Sequence, residues 1–232
     1  MDPNDVLKHM DVIPGYYSFP VARTPKIPRI LHLIWVGSKP QPDYVNERVQ
    51  KWKEIMPTWQ VRLWTNADIH TGEFPELIVT LIGYAYIGAQ KADIMRYHII
   101  EKYGGVYIDT DSIPKRSFED LIMHTDAEAI FCNDVDITWV FVSSGFFAAV
   151  PHHPVMKRAC ELCYGVLVNT PDVYLQTGPR LLGEAIATAH HEGPKYMLLH
   201  TNYIYRDNFE PGFAIHTYEG SWKKDQLPPP PS

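Results

Sequence analysis

The sequence predicts an α/β fold, a central and mostly parallel sheet flanked by helices. Three observations carry this reading. Continuous apolar runs closed by glycine or proline recur along the chain, as strands buried on both faces of a parallel sheet require. Segments with an apolar stripe at helical spacing alternate with them, and strands alternating with helices pack as a sheet covered by helices. Finally, 45% of the 232 residues are apolar, enough to fill a sizeable core.

Residues 1–27 carry Pro3, Pro14, Pro20 and Pro25 with little periodicity, so they read as an N-terminal arm that wraps the fold. Ile30 to Val36 (ILHLIWV) is an apolar run punctuated by Gly37 and Pro40, which predicts the first buried strand. A helix follows from about Asp43, with Val45, Val49, Trp52 and Met56 on one face and Pro57 as its stop. Gln60 to Trp64 alternates as a second strand. From Ala89 to Tyr103 the residues Ala92, Met95, Ile99 and Tyr103 form a helical stripe, and Gly104-Gly105 ends it. Val106 to Asp109 is the next strand. Helices are expected from Pro154 to about Val168 and from Pro179 to about Ala189, each with proline in its first turn. Short apolar runs at Ala129 to Cys132, Trp139 to Val142, Met197 to Leu199 and Phe213 to Ile215 read as strands. Residues 223–232 end in PPPPS, a proline-rich tail. No repeat and no long linker interrupts the pattern, so 1–232 is expected to be a single domain.

Composition narrows the function. Lys plus Arg number 21 against 27 Asp plus Glu, a net charge of −6, which disfavours an electrostatic grip on nucleic acid. Apolar runs such as Val140 to Val150, interrupted by Ser143 and Ser144, fall well short of the roughly 20 residues that span a bilayer, so no integral membrane segment is expected. The N-terminus shows no basic start followed by an apolar stretch, hence no secretory signal. Cys132, Cys160 and Cys163 are too few for a disulfide framework, and a reducing, cytoplasmic setting fits them. Aromatics at 12% serve core packing and also suit flat faces such as sugars and nucleobases.

The sharpest chemical feature is GGVYIDTDSIP, residues 104–114. Asp109 and Asp111 stand where a buried strand runs out, and ligands of open α/β sheets gather beyond the carboxyl ends of strands. Period-two alternation puts Tyr107 and Asp109 on one side. Paired carboxylates suit Mn²⁺ or Mg²⁺, which take carboxylate, water and phosphate oxygens. A calcium loop fails, because Pro114 stands where glycine is needed. A phosphatase of the haloacid-dehalogenase kind also opens with strand and D-x-D, with Asp109 as nucleophile; its motif normally follows a first strand, and only Asp134 and Asp136 offer a later acidic pair. Upstream, Asp93 and Arg96 at i, i+3 share a helical face, as an ion pair or as part of a site. Cys160-x-x-Cys163 lacks a second ligand pair and reads as structural, as do the His152-His153 and His190-His191 doublets near helix ends.

The string KADIMRYHIIEKYGGVYIDTD resembles the signature of the DXD-containing sugar transferases, glycosyltransferase family 32, which are related to α-1,6-mannosyltransferases and α-1,4-galactosyltransferases. Other blocks agree in order: IPRILHLIWVG, MPTWQVRLWTNAD, GFFAAVPHHPVM, QTGPRLL and HTYEGSW, together covering roughly residues 27–224. The resemblance implies a GT-A fold and metal-dependent, retaining transfer of a sugar from a nucleotide-sugar donor, with a UDP-sugar favoured, to a glycan or glycoconjugate acceptor. Position by position it implies that Trp35 and the backbone of Val36 hold the nucleobase and that Asp93 and Arg96 bind the donor sugar. It implies that Tyr107 lines the nucleoside pocket, that Asp109 serves donor and metal, and that Asp111 is the firm metal ligand. In HTYEGSW, His216 is well typed to fill one remaining Mn²⁺ position and Ser221 another, while Trp222 offers an indole N–H to a phosphate oxygen, so that Ser221 and Trp222 join the donor-binding set. One departure is visible: Ser143-Ser144 precede Gly145 where the family usually has an amide. Asn133, Asp134 and Asp136 are assigned to the acceptor side. A third reading, a sugar-nucleotide-binding module without turnover, sits poorly with intact Asp109 and Asp111.

Overall fold

The computed structural model describes residues 10–12, 25–123, 127–133, 142–165, 176–189 and 196–219, the side chains of 10–12 and 196 excepted. A seven-stranded sheet has the order β1-β8-β6-β7-β4-β2-β3, where β1 is Met10–Val12, β2 Ile30–Trp35, β3 Gln60–Thr65, β4 Gly105–Ile108, β6 Ala129–Asn133, β7 Val142–Ala149 and β8 Tyr196–Leu199. Only β7 runs against its neighbours β4 and β6; the other pairs are parallel. A second sheet pairs β5 (Ser112–Pro114) with β9 (Ala214–His216).

Alternation along each strand divides the core between the two faces of the sheet. On β4, Tyr107 packs with the layer of α2 (Glu76–Tyr84), α3 (Gly88–Tyr103), α5 (Pro154–Cys163) and α6 (Pro179–Thr188). Val106 and Ile108 pack with α1 (Asp43–Ile55), α4 (Glu119–Met123) and α7 (Asn202–Tyr205). Helices therefore cover both faces, as continuous apolar strands demand. The expected face of α1 is buried at Val45, Val49 and Trp52, with Met56 as the C-cap residue ahead of Pro57. Among the described residues no helix is long and apolar enough to cross a membrane.

Several expectations are corrected in extent. The strand placed at Trp139 to Val142 begins only at Val142, residues 139–141 lying outside the described ones, and β7 runs on to Ala149. Every β7 residue is buried, so the alternation that marks a half-exposed strand is missing. Helix α5 ends at Cys163, short of Val168, because Tyr164 and Gly165 bond to the carbonyls of Glu161 and Leu162 three residues back and tighten the last turn. Helix α2 was not foreseen: ELIVTLIGY is apolar nearly all round and shows no stripe. The N-terminal arm contributes β1, an edge strand beside β8. Residues 223–232 lie outside the described residues.

Where β2 ends, the chain needs glycine. Gly37 has φ 115°, and a Cβ on Gly88 would lie 2.4 Å from the Val36 carbonyl oxygen. The loop after β2 thus abuts the first turn of α3 backbone to backbone.

Candidate active site

The site forms where β4 leaves the sheet. Asp109 N–H donates to the Gly145 carbonyl at 3.0 Å, continuing the pairing with β7, and Ser112 N–H donates to the Asp109 carbonyl at 3.1 Å, turning the chain into β5. Strand β5 places Ser112 opposite His216 on β9. That ladder carries His216 to the acids: its Nε2 lies 3.0 Å from Asp111 Oδ1 and 3.5 Å from Asp109 Oδ2. Thr217 donates its N–H and hydroxyl to the Asp111 carbonyl at 3.0 and 2.7 Å, and Glu219 N–H donates to Asp111 Oδ2 at 3.2 Å.

The other side of Asp109 faces α3. Tyr107 and Asp109 do share a side: the phenol donates to Asp109 Oδ1 at 2.6 Å. Arg96 Nη1 donates to the Ser144 carbonyl at 2.7 Å and reaches Asp109 Oδ1 at 3.4 Å, while Nη2 is paired with Asp93. Asp93 and Arg96 are therefore both an ion pair and part of the site, and both are buried.

These charges perturb one another. Burial of the Asp109 carboxyl opposes its charge, yet His216, Arg96 and Tyr107 outweigh that and hold it below the usual carboxylate range. Burial likewise works against the His216 imidazolium, but hydrogen bonds to Asp109 and Asp111 raise it to about 9. Burial and the Asp109 charge keep the Tyr107 phenol protonated, as its hydrogen bond to Asp109 requires.

Trp35 closes β2, the parallel neighbour of β4 in which His32 faces Tyr107, so Trp35 and Asp109 stand at the same carboxyl edge. The Trp35 indole N–H donates to the Lys39 carbonyl at 3.4 Å, and the Val36 side chain is buried while its carbonyl faces Gly88. Asn133 ends β6 and accepts Thr201 N–H at 2.6 Å. Ser221, Trp222, Asp134 and Asp136 lie outside the described residues. Cys160 and Cys163 are buried free thiols, and His153 caps α5 by accepting Val155 N–H at 3.3 Å.

Other contributors escape sequence reasoning. Gly145 leaves room for the site, because a Cβ there would lie 2.7 Å from both Asp109 Oδ2 and Tyr205 Oη, and one or both would have to shift. The Tyr205 hydroxyl pairs with Ser143, and its ring centroid lies 5.0 Å from that of His216. Arg48 of α1 donates to the Thr110 carbonyl at 3.0 Å and to the Thr217 hydroxyl at 3.4 Å, tying the two halves of the site together. Only Gly145 and Ser143 carried a signal, as the point where the mid-chain block departs from the family.

Asp109, Asp111 and His216 each offer a ligand atom, and these atoms lie within 4.8 Å of one another. Two carboxylates and an imidazole, half-buried and converging, fit a divalent cation of the Mn²⁺ or Mg²⁺ kind.

The fold and the D-x-D pair joined by His216 are similar to those of DXD-containing glycosyltransferases. Residues 42–128 match the family described as the glycosyltransferase sugar-binding region containing the DXD motif. The chain is 29% identical over 167 residues to inositol phosphoceramide mannosyltransferase 1 of Schizosaccharomyces pombe, covering 68% of this chain and 50% of the relative, so it spans half of that relative's length. It is 25% identical over 216 residues to an uncharacterized glycosyltransferase of Acanthamoeba polyphaga mimivirus, covering 84% of each. Among solved structures the PaToxG glycosyltransferase superposes with a TM-score of 0.56 at 16% identity, covering 72% of this chain and 70% of that one, which establishes the shared GT-A fold.

Proposed function

We propose that this chain is a metal-dependent, retaining glycosyltransferase that moves a sugar from a nucleotide-diphosphate sugar to a hydroxyl of a glycan or glycoconjugate. The observation that carries this is the convergence of Asp109, Asp111 and His216 beside the buried Asp93–Arg96 pair. A divalent ion held by the three ligands would offset the charge of a departing nucleoside diphosphate as a Lewis acid. Asp111, His216 and Asp109 would hold the ion, and Tyr107 and Arg96 fix the Asp109 carboxylate through its Oδ1. Arg96, anchored on Asp93 and the Ser144 carbonyl, presents fixed positive charge beside the donor sugar, and needs no reorganisation during transfer.

Trp35 and Tyr107 resemble the UDP-sugar users, which supports a UDP-sugar donor. A second reading has its own support: a relative named as an inositol phosphoceramide mannosyltransferase favours a mannosyl donor and inositol phosphoceramide as acceptor. Transfer and donor hydrolysis measured side by side with UDP-glucose, UDP-galactose and GDP-mannose decide between them. Activity should vanish in EDTA and return with Mn²⁺. Full turnover in excess chelator would exclude the metal mechanism, and a β-linked product from an α-linked donor would exclude retention.

A further inference from the structure

The turn before α6 reaches into the site through one hydroxyl. Thr177 is fully buried, and its Oγ1 donates to Asp93 Oδ2 at 2.6 Å. Its carbonyl and that of Gly178 share the Tyr97 phenol at 2.8 and 3.1 Å, which ties the turn to α3. Asp93 Oδ1 is taken by Arg96 Nη2. Both carboxylate oxygens of Asp93 are therefore committed, one to the turn and one to the guanidinium. With a single partner the carboxylate plane could rotate; with two it is fixed, and Arg96 is fixed with it. Arg96 Nη1 then meets the Ser144 carbonyl and Asp109 Oδ1. Thr177, Asp93 and Arg96 are each less than 5% exposed, so little water competes along the chain of bonds. Valine would fill the volume of Thr177, so packing alone does not call for a hydroxyl there.

We propose that Thr177 is a positioning residue for sugar transfer, its hydroxyl setting the plane of Asp93 and thereby the Arg96 guanidinium against Asp109. This rests on the glycosyltransferase reading above. The hydroxyl stays on the enzyme throughout, so its effect falls on how well Arg96 is aimed, in kcat, and leaves nucleotide binding alone.

The test compares Thr177→Val, Thr177→Ala and Thr177→Ser in the full chain, with kcat and KM for the turned-over nucleotide sugar. Binding of UDP and GDP with Mn²⁺ is measured by calorimetry, alongside thermal melting. Loss of a hydrogen bond to a charged group predicts a fall in kcat of roughly 10- to 100-fold for Val and Ala. Nucleoside diphosphate affinity should stay within about twofold of wild type, and Thr177→Ser should restore most of the rate. Wild-type kcat in Thr177→Val overturns the proposal, as does an equal loss in Thr177→Ser. Failure of both Val and Ala variants to fold also overturns it, since the role would then be structural. If wild type turns over no UDP- or GDP-sugar, the glycosyltransferase reading falls and the proposal falls with it, an outcome distinct from an active wild type with an unaffected valine variant.

Discussion

Gly145→Ala tests how tightly the site is built around Asp109. The new Cβ would stand 2.7 Å from Asp109 Oδ2 and from Tyr205 Oη, whereas ordinary contact begins at 3.4 Å, so each oxygen must withdraw by the difference, about 0.7 Å. Neither is a free end. Asp109 is held by Tyr107, Arg96 and His216, and Tyr205 by Ser143. Overpacking of this kind costs about 1–3 kcal/mol, which for a chain of this length lowers the melting temperature by roughly 2–12 °C. The catalytic effect should be larger, since a displacement approaching 1 Å in a reacting centre costs on the order of 100-fold in rate. Gly183→Ala is the control: it lies in α6, a Cβ there meets nothing within 4 Å, and helix propensity predicts a gain of about 0.5–1 kcal/mol with unchanged activity. Thermal melts, Mn²⁺ titration and transfer kinetics on both variants give the comparison. Wild-type kcat and Mn²⁺ affinity in Gly145→Ala would refute the claim that the glycine makes room for a fixed carboxylate.

Other perturbations report on neighbouring groups. Asp111→Asn removes the anion that His216 and Glu219 N–H address and that the proposed ion would need, so transfer should be abolished while the melting temperature moves by only a few degrees, by the scale of single substitutions, about 0.5–3 kcal/mol; turnover above about a tenth of wild type would contradict it. Arg96→Lys keeps the charge and loses the fork that joins Asp93, Asp109 and the Ser144 carbonyl; transfer should fall by roughly 100-fold while nucleoside diphosphate binding persists, as kinetics and calorimetry would show. His32 supplies the pH test. Trp64 Nε1–H donates to its Nδ1 and Gly104 accepts from its Nε2, so the buried ring is neutral, and burial lowers its pKa to about 4. The unfolded chain binds that proton more readily, so stability is full above about pH 6.5 and falls as pH drops towards 4, by about 3 kcal/mol in all. Urea unfolding at pH 7 and pH 4.5 should show a smaller pH dependence in His32→Gln than in wild type; identical slopes would refute the assignment.

The parts of the site that the sequence displays are those whose pattern is local. The run Ile30 to Val36 with Gly37, and the stripe of α3 with Gly104, are complete within a few residues, so strand, helix and D-x-D could be ordered without the fold. Asp93 and Arg96 were legible as a pair because they share one helical face, but the Thr177 hydroxyl that completes them arrives 84 residues later. Strands β5 and β9 have three residues each: the apolar run Phe213 to Ile215 marked β9 to within one residue and His216 was marked by its block, whereas β5 carries no pattern long enough to read alone. Tyr205 and Arg48 look like ordinary helix residues, and only the fold turns them towards the acids.

The small sheet of β5 and β9 also dictates when the site can exist. It joins Asp109 to a histidine 107 positions further along the chain. During synthesis, which proceeds at roughly 5–20 residues per second and lets earlier segments fold first, the two carboxylates emerge with the sheet that bears them, and the imidazole follows seconds later. Closing so long a loop carries an entropy cost that nearby pairings avoid, so the ligand set is assembled late in refolding as well. On the proposed function, Mn²⁺ binding should mark the last stage of folding: in a stopped-flow refolding experiment it should lag the recovery of helical signal, and the lag should disappear in no variant that leaves the β5–β9 ladder intact.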